Sequence, residues 1–302
     1  MPLLFIAFAA LWVALINAEN SFIAQFAMYN GLFQGLLFLL VASIPLWRTG
    51  RMSFVDIAWP FGVALTGLQL LIHTEGEFLR SVIAGGIYLA IGLRMGIAAV
   101  AMGRSTGVIF KYEFPRYNYR RLMLEQSATK HLGAHMQMEV WIQGLANASV
   151  LAMPAILIAT NDSPDLLPIE MFGFGLWGLA YLIESIADTQ KLLFISKNPK
   201  NSVCNIGLWR FSRHPNYFSE WLVWCGLSIA ALPSLFRLLE ELSMLDGAVL
   251  ILGLLGVCFT MYICLVHLTG AKPAEYYSVR KRKDYAAYQE KTSMFFPWFS
   301  KS

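Results

Sequence analysis

The sequence predicts an all-α, polytopic helical membrane protein of about seven to eight transmembrane helices. Three observations predict it. Only 14% of the 302 residues are charged and 57% are hydrophobic, whereas a soluble domain carries about 25% charged residues; mean hydropathy is +0.54. Apolar runs near the length of about 20 residues that a bilayer core requires recur from end to end. The charges between those runs are sorted by sign. All but Arg80, Arg94 and Arg237 of the 23 basic residues fall in alternate connections or the tail.

Taken in order, the runs cover 3–18, 31–47, 55–72, 81–102, 140–159, 172–186, 218–235 and 247–267. The first lacks the basic leader of a signal peptide and is followed directly by another run, so it reads as a helix of the bundle. The sixth is short unless it continues as helix toward Asp188. Arg48 and Arg51 follow the second run. Arg104, Lys111, Arg116, Arg120, Arg121 and Lys130 follow the fourth. Lys191, Lys197, Lys200, Arg210 and Arg213 follow the sixth. The tail adds Lys272, Arg280, Lys281, Arg282, Lys283, Lys291 and Lys301, whereas the other connections are mainly acidic, holding Glu19, then Glu75 and Glu77, then Asp162, Asp165 and Glu170, then Glu240, Glu241 and Asp246. The positive-inside rule then places both termini and every basic connection in the cytoplasm, which needs an even number of spans. No linker or repeat divides the chain. It reads as one membrane domain, 1–302, with an N-terminal four-helix part at 1–103. A cytoplasmic interfacial segment covers 104–139, and a C-terminal part covers 140–302.

Composition also excludes several classes. Cys204, Cys225, Cys258 and Cys264 form no C-x-x-C pair and read as buried thiols. The five scattered histidines suggest no metal site. The net charge of +4 follows from the basic loops, so it argues for an anionic inner leaflet rather than for nucleic acid. No G-x-G-x-x-G motif or P-loop occurs, and no Ser-His-Asp arrangement is evident.

The residues that could carry chemistry concentrate in Leu208-Trp209-Arg210-Phe211-Ser212-Arg213-His214-Pro215-Asn216-Tyr217-Phe218-Ser219-Glu220. Two arginines, a histidine and an amide stand there at the mouth of an apolar run. Arginine grips phosphate bidentately, so the cluster suggests a site for a soluble anionic cofactor beside a lipid-like substrate. Within or beside the runs lie Asp56, Arg94, Glu184, Asp188 and Glu220, and an intramembrane charge is by default a functional hypothesis with a partner. Asp56–Arg94 and Glu184–Lys191 read equally as structural pairs. Glu184 and Asp188, four apart, share a helix face. Residues 111–121, rich in aromatics and arginines, read either as an interfacial helix or as a lid using Arg116, Arg120 or Arg121 against phosphate. The basic run 280–283 reads as an inner-surface anchor, with Tyr285, Tyr288 and Lys291 on one helical face. Gly92 and Gly96, in G-x-x-x-G spacing, serve packing inside the bundle or dimerisation.

These residues carry a family resemblance. Ser212-Arg213-His214-Pro215-Asn216-Tyr217-Phe218-x-Glu220-x-x-x-Trp224-x-Gly226 resembles the signature of the steroid 5α-reductase-like membrane proteins, most closely their bacterial branch. Asp188-x-Gln190-Lys191, Gly207-Leu208-Trp209 and Leu268-Thr269-Gly270 also fit that branch. So do Asp284-Tyr285-x-x-Tyr288-x-x-x-Thr292-x-x-Phe295-x-Pro297, Ser53-Phe54-Val55-Asp56-x-x-Trp59 and Arg94. The resemblance implies a membrane oxidoreductase, in a bacterial inner membrane, that binds NADPH from the cytoplasm and reduces a carbon–carbon double bond conjugated to a ketone. It implies a cofactor pocket lined by Asp188, Lys191, Arg210, Arg213, His214, Asn216, Tyr217 and Glu220, closed by Tyr288 and Lys291. The partners expected are the bilayer and an apolar small molecule, with sterol, polyprenoid and fatty-acyl candidates open.

The chain departs from the family where the chemistry is done. Steroid reductases use a glutamate and a tyrosine from early spans. Asp56 stands near the glutamate's place, and Ile91 stands at the tyrosine's, with Tyr88 one turn earlier. The expected catalytic set is therefore Asp56, Arg94 and Tyr88, with Tyr112 as another proton donor. Arg213-His214-Pro215-x-Tyr217 is also similar to isoprenylcysteine carboxyl methyltransferases, which use S-adenosylmethionine. Those carry a glycine where Ser219 stands and paired acids where only Glu275 is found. A lipid- or sterol-binding protein without chemistry is the third reading.

Overall fold

The computed structural model describes residues 2–126, 131–199 and 201–299. Lys130, Lys200 and Lys301 lie outside the described residues. Among those described, the chain is helical apart from its turns and one isolated bridge between Val108 and Tyr112. The helices are α1 Pro2–Ile16, α2 Ser21–Phe38, α3 Ile44–Thr49, α4 Val55–Ile72, α5 Phe78–Thr106, α6 Pro115–Gln126 and α7 Leu132–Ala148. They continue as α8 Met153–Ala159, α9 Pro168–Lys197, α10 Pro215–Ala230, α11 Leu232–Leu239, α12 Met244–Ile263, α13 Ala271–Lys281 and α14 Tyr285–Lys291.

All eight apolar runs are helical. Among the described residues, seven helical stretches are long and apolar enough to span a membrane, so the chain is an integral membrane protein. The remaining run, the first, is α1, which has 15 residues and reaches only about 22 Å at about 1.5 Å per residue. The second span begins at Ser21, not at residue 31. Asn20 caps it, accepting from the Ile23 backbone N–H at 3.0 Å, and polar Gln25 and Asn30 had masked its first turns in the hydropathy. The sixth does continue past Asp188, to Lys197.

Four spans are interrupted. A π-helical turn at Leu39–Ser43 joins α2 to α3, and another at Cys264–Leu268 ends α12. The span Leu132–Ala159 breaks at Ser149, before Pro154, and Pro215–Leu239 breaks at Ala231, before Pro233. A proline has no N–H to donate and is tolerated in the first turn of a helix, so each restart has a local cause.

The chain forms two compact units. The first comprises Met1–Met171 and Ser228–Val257, the second Phe172–Leu227 and Cys258–Ser302. The part expected at 140–302 is thus divided between them.

In the first unit α4 and α5 approach closely through glycines. A Cβ on Gly92 would strike the Pro60 carbonyl and Ala64, and one on Gly96 would strike the Phe61 ring. The G-x-x-x-G spacing is therefore used for packing inside this unit. The break in α7–α8 leaves carbonyls without helical partners, and in a bilayer those must be satisfied internally. Asn30 donates to the Asn147 and Ala148 carbonyls at 3.1 and 3.3 Å, and the Tyr88 hydroxyl donates to the Leu151 carbonyl at 2.7 Å. Gln34 donates to the Gly62 carbonyl at 2.8 Å. At the acidic end of α5, Arg80 is wholly buried. It binds Glu170 at 2.6 Å and the carbonyls of Asn161, Ser163 and Asp165 at 3.0, 2.7 and 2.8 Å.

Candidate functional site

Two polar clusters, one in each unit, carry several of the expected site residues.

In the first unit, Asp56 sits in the first turn of α4. Its Oδ2 accepts from Arg116 Nη2 at 2.6 Å and its Oδ1 from the Tyr117 hydroxyl at 2.7 Å. The Arg116 guanidinium lies over the Phe114 ring at 4.8 Å. Burial, reinforced by Asp56, pushes the Tyr117 phenol well above its ordinary range, so it stays protonated and donates. The surrounding segment is a strap clamped to the start of α4. Glu113 accepts from the backbone N–H groups of Met52 and Ser53 at 2.7 and 2.9 Å. Those donors lie at the helix start, where an anion is favoured. Arg51 donates to the carbonyls of Ile109 and Phe110 at 3.1 and 2.8 Å. Ile109, fully buried, is held at φ 76°, a conformation a β-branched residue adopts only when its surroundings impose it.

The lid reading of 111–121 does not describe this arrangement. Arg116 faces Asp56, Arg120 faces Glu139 at 2.6 Å, and Arg121 reaches Glu113 at 3.9 Å and the Gly50 carbonyl. Each of these arginines is neutralised inside its own unit. Tyr88 is fully buried, with its hydroxyl donated to backbone. Tyr112 is 64% exposed. Arg94 is half-buried within α5. Tyr117 was missed because it stands in a connection, 61 residues from its partner.

In the second unit, Gly207 opens a 3₁₀ turn over Gly207–Arg210. Its φ is +53°, and a Cβ there would collide with the Gln190 amide, so only glycine fits. The same amide accepts from the Leu208 N–H at 2.9 Å. The turn buries Trp209, which donates to the Ala187 carbonyl at 3.0 Å, and the Lys191 ammonium rests 4.2 Å above its ring. Arg210 is exposed and makes no ion pair among the described residues.

Arg213 is the hinge of this cluster. Its Nε and Nη2 donate to Glu275 at 2.7 and 3.1 Å, and its Nη1 to the carbonyls of Gln289, at 3.0 Å, and Thr292. Glu275 also meets His214 Nε2 at 3.1 Å and accepts from Gln289 at 2.6 Å. Burial pushes the His214 imidazole below its ordinary range, against the opposing pull of Glu275, so the neutral ring donates through Nε2. That ring stacks on Tyr217, centroids 5.1 Å apart and 5° from parallel. The Tyr288 hydroxyl donates to the Trp209 carbonyl, and burial raises its pKa, as it raises that of Tyr285 to about 12.

The signature thus grips the tail, and Glu275 is the carboxylate that binds it. Glu275 lies 62 residues from Arg213. It is positioned by the π turn and by Gly270, where a Cβ would collide with the Leu265 carbonyl. Arg213, His214, Asn216, Tyr217 and Tyr288 lie in this one unit, and the guanidinium of Arg213 is engaged by protein groups.

One amide is left with capacity. Asn216 donates to Asp188 Oδ1 at 3.0 Å, and its Oδ1 is buried with no hydrogen-bond partner among the described residues. Glu220 is buried and accepts from the Trp224 indole at 3.0 Å. Lys291 is exposed at the end of α14. No group of three or more His, Cys, Asp or Glu side chains able to hold a metal exists among the described residues.

Seven membrane-length helices and two buried polar clusters, one of them locking the tail to a signature segment, define a polytopic α-helical membrane protein with a built polar site. The chain belongs to the family described as Protein of unknown function (DUF1295), whose model matches residues 44–292 and so contains both clusters. It is 24% identical over 302 residues, covering 87% of this chain and 78% of the relative, to the Uncharacterized protein C594.04c of Schizosaccharomyces pombe. No solved structure matches the chain.

Proposed function

We propose that the protein is a membrane-embedded, NADPH-dependent reductase of the carbon–carbon double bond of an apolar enone, resembling the steroid 5α-reductases. The observation that carries this reading is the Asn216 amide. Its nitrogen is fixed by Asp188 and its buried oxygen lacks a donor, and a buried acceptor left unmatched is costly. A carboxamide N–H or a ribose hydroxyl, both present in a nicotinamide dinucleotide, would satisfy it.

Arg210, exposed and without an ion pair among the described residues, and Lys191 are the cations suited to the cofactor's phosphates. Arg213 and His214 act one step away, holding the tail and fixing Tyr217. When bound, NADPH would supply a hydride. The protein's own task is to bind and orient the ring system and to hold a proton for the carbon left as an enolate. The basic connections would face the cytoplasm of a bacterial cell.

The test is thermal unfolding of the detergent-purified protein with NADPH, NADH or S-adenosylmethionine, for wild type, Asn216→Ala and Arg210→Ala. Selective stabilisation by NADPH that both variants weaken is the expected result. Stabilisation by S-adenosylmethionine alone would move the protein to the methyltransferases. No response to any of the three would leave a lipid-binding protein.

A further inference from the structure

The face of α9 that ends at the Asn216 site continues into the membrane. Trp177, Tyr181, Glu184, Asp188 and Lys191 recur at steps of four and three, so they share one face of the helix. Its outer end is engaged as described, Asp188 with Asn216 and Lys191 over Trp209. Glu184 is buried. At the inner end the Trp177 indole is stacked on Tyr181, centroids 5.4 Å apart at 28°, forming a flat aromatic wall.

The Trp177 Nε1 is buried and has no acceptor among the described residues. Trp209, Trp221 and Trp224 in the same unit each donate their indole N–H, to the Ala187 carbonyl, the Cys258 carbonyl and Glu220 respectively. Trp177 is the exception, and it lies mid-span, where water cannot serve as the acceptor. The neighbouring position is open as well: a Cβ on Gly178 would meet no heavy atom within 4 Å. Trp177 and Asp188 are eleven residues apart, about 16 Å along the helix.

We infer that Trp177 is a ligand-binding residue: its indole N–H holds the oxygen of an apolar molecule lying against the Trp177–Tyr181 wall, within the second unit. The ligand class is a flat, largely hydrocarbon molecule with a hydrogen-bond acceptor, entering beside Gly178. That the acceptor is a ketone rests on the reductase reading; that an acceptor is bound there does not.

The test uses the full-length protein in nanodiscs and two sterol probes that differ only in the ketone, cholest-4-en-3-one and cholest-4-ene. Equilibrium binding of each is measured for wild type, Trp177→Phe and Gly178→Leu. Wild type should prefer the ketone by about tenfold, the worth of one neutral hydrogen bond. Trp177→Phe should shrink that preference to about twofold or less while keeping hydrocarbon affinity. Gly178→Leu, which leaves the indole intact, should weaken both probes, and it carries the test if Trp177→Phe does not fold. A ketone preference that survives Trp177→Phe, equal binding of the probes by wild type, or unchanged binding in Gly178→Leu would overturn the inference. NADPH stabilisation of the same samples is read separately. If it is absent while the preference depends on Trp177, the reductase reading fails and this site stands. If it is present without that dependence, the reverse holds.

Discussion

Arg80 in the first unit and Arg213 in the second are built alike. Each is a buried guanidinium bound to one glutamate and to backbone carbonyls of a segment far along the chain. Their surroundings differ. Around Arg80 the neighbouring polar groups are also paired: the Asn161 amide donates to Ser234 at 3.1 Å and Glu170 accepts from the Leu167 N–H at 2.8 Å. Beside Arg213 stands Asn216 with an acceptor still open. The first cluster is a staple. The second is a staple next to a site, and the residue that looks most like a ligand-binding arginine is the staple itself.

The sharpest way to break the comparison is to remove each arginine. Arg80→Ala and Arg213→Ala should both destabilise by about 3–5 kcal/mol, because each leaves a buried carboxylate without its cation. Thermal unfolding in detergent measures both. Only Arg213→Ala should expose the tail beyond residue 284 to limited proteolysis. A smaller loss is expected for Tyr117→Phe, about 1.5–3 kcal/mol for a hydrogen bond to a charged group, with Tyr88→Phe as its neutral-acceptor counterpart at about 1 kcal/mol. If the two losses come out equal, the Asp56–Tyr117 bond is not charge-assisted. Gly207→Ala forces a left-handed residue against Gln190 and should cost about 1–3 kcal/mol, read from the same melts.

The pH response separates the units further. Burial holds the folded pKa of His214 below its unfolded value near 6.5. Below that value the unfolded chain binds more protons than the folded one, so stability falls as pH drops from about 6.5 through the folded pKa, and is flat above. The melting temperature of wild type should therefore decline in that window more steeply than that of His214→Gln. Parallel curves would place the acid sensitivity elsewhere. The smallest effect is expected of Asn216→Ala on the unliganded protein, about 1 kcal/mol, since the bond lost to Asp188 is partly offset by removing a buried oxygen that has no partner among the described residues.

The spans were legible because hydropathy is a local property. Residues 55–72 were bounded to the residue, whereas the first turns of α2 and of α7, from Leu132, and the last turns of α9 escaped. Two-body partnerships were not legible. Asp56 was recognised but was matched with Arg94, whereas its oxygens bind Arg116 and Tyr117. Those two stand in a connection held by Glu113, which binds the Met52 and Ser53 N–H groups just before α4. Glu275 sits in a sequence with no motif of its own, and its importance comes from the bend at Gly270. The orphaned acceptor of Asn216 was beyond any pattern, because an unfilled hydrogen bond leaves no trace in residue spacing.

The tail clamp also bears on how the protein is made. The Arg213 backbone N–H binds the Ser293 carbonyl at 2.8 Å, and the Trp298 N–H binds the Phe211 carbonyl at 2.9 Å. Synthesis runs from the N-terminus, so segment 211–217 is laid down some eighty residues before the strand of chain that fixes it. Until residues 289–292 have been translated, the guanidinium of Arg213 lacks its backbone acceptors. The spans can enter the bilayer one after another, but the polar cluster of the second unit closes only once residues 289–298 have been made.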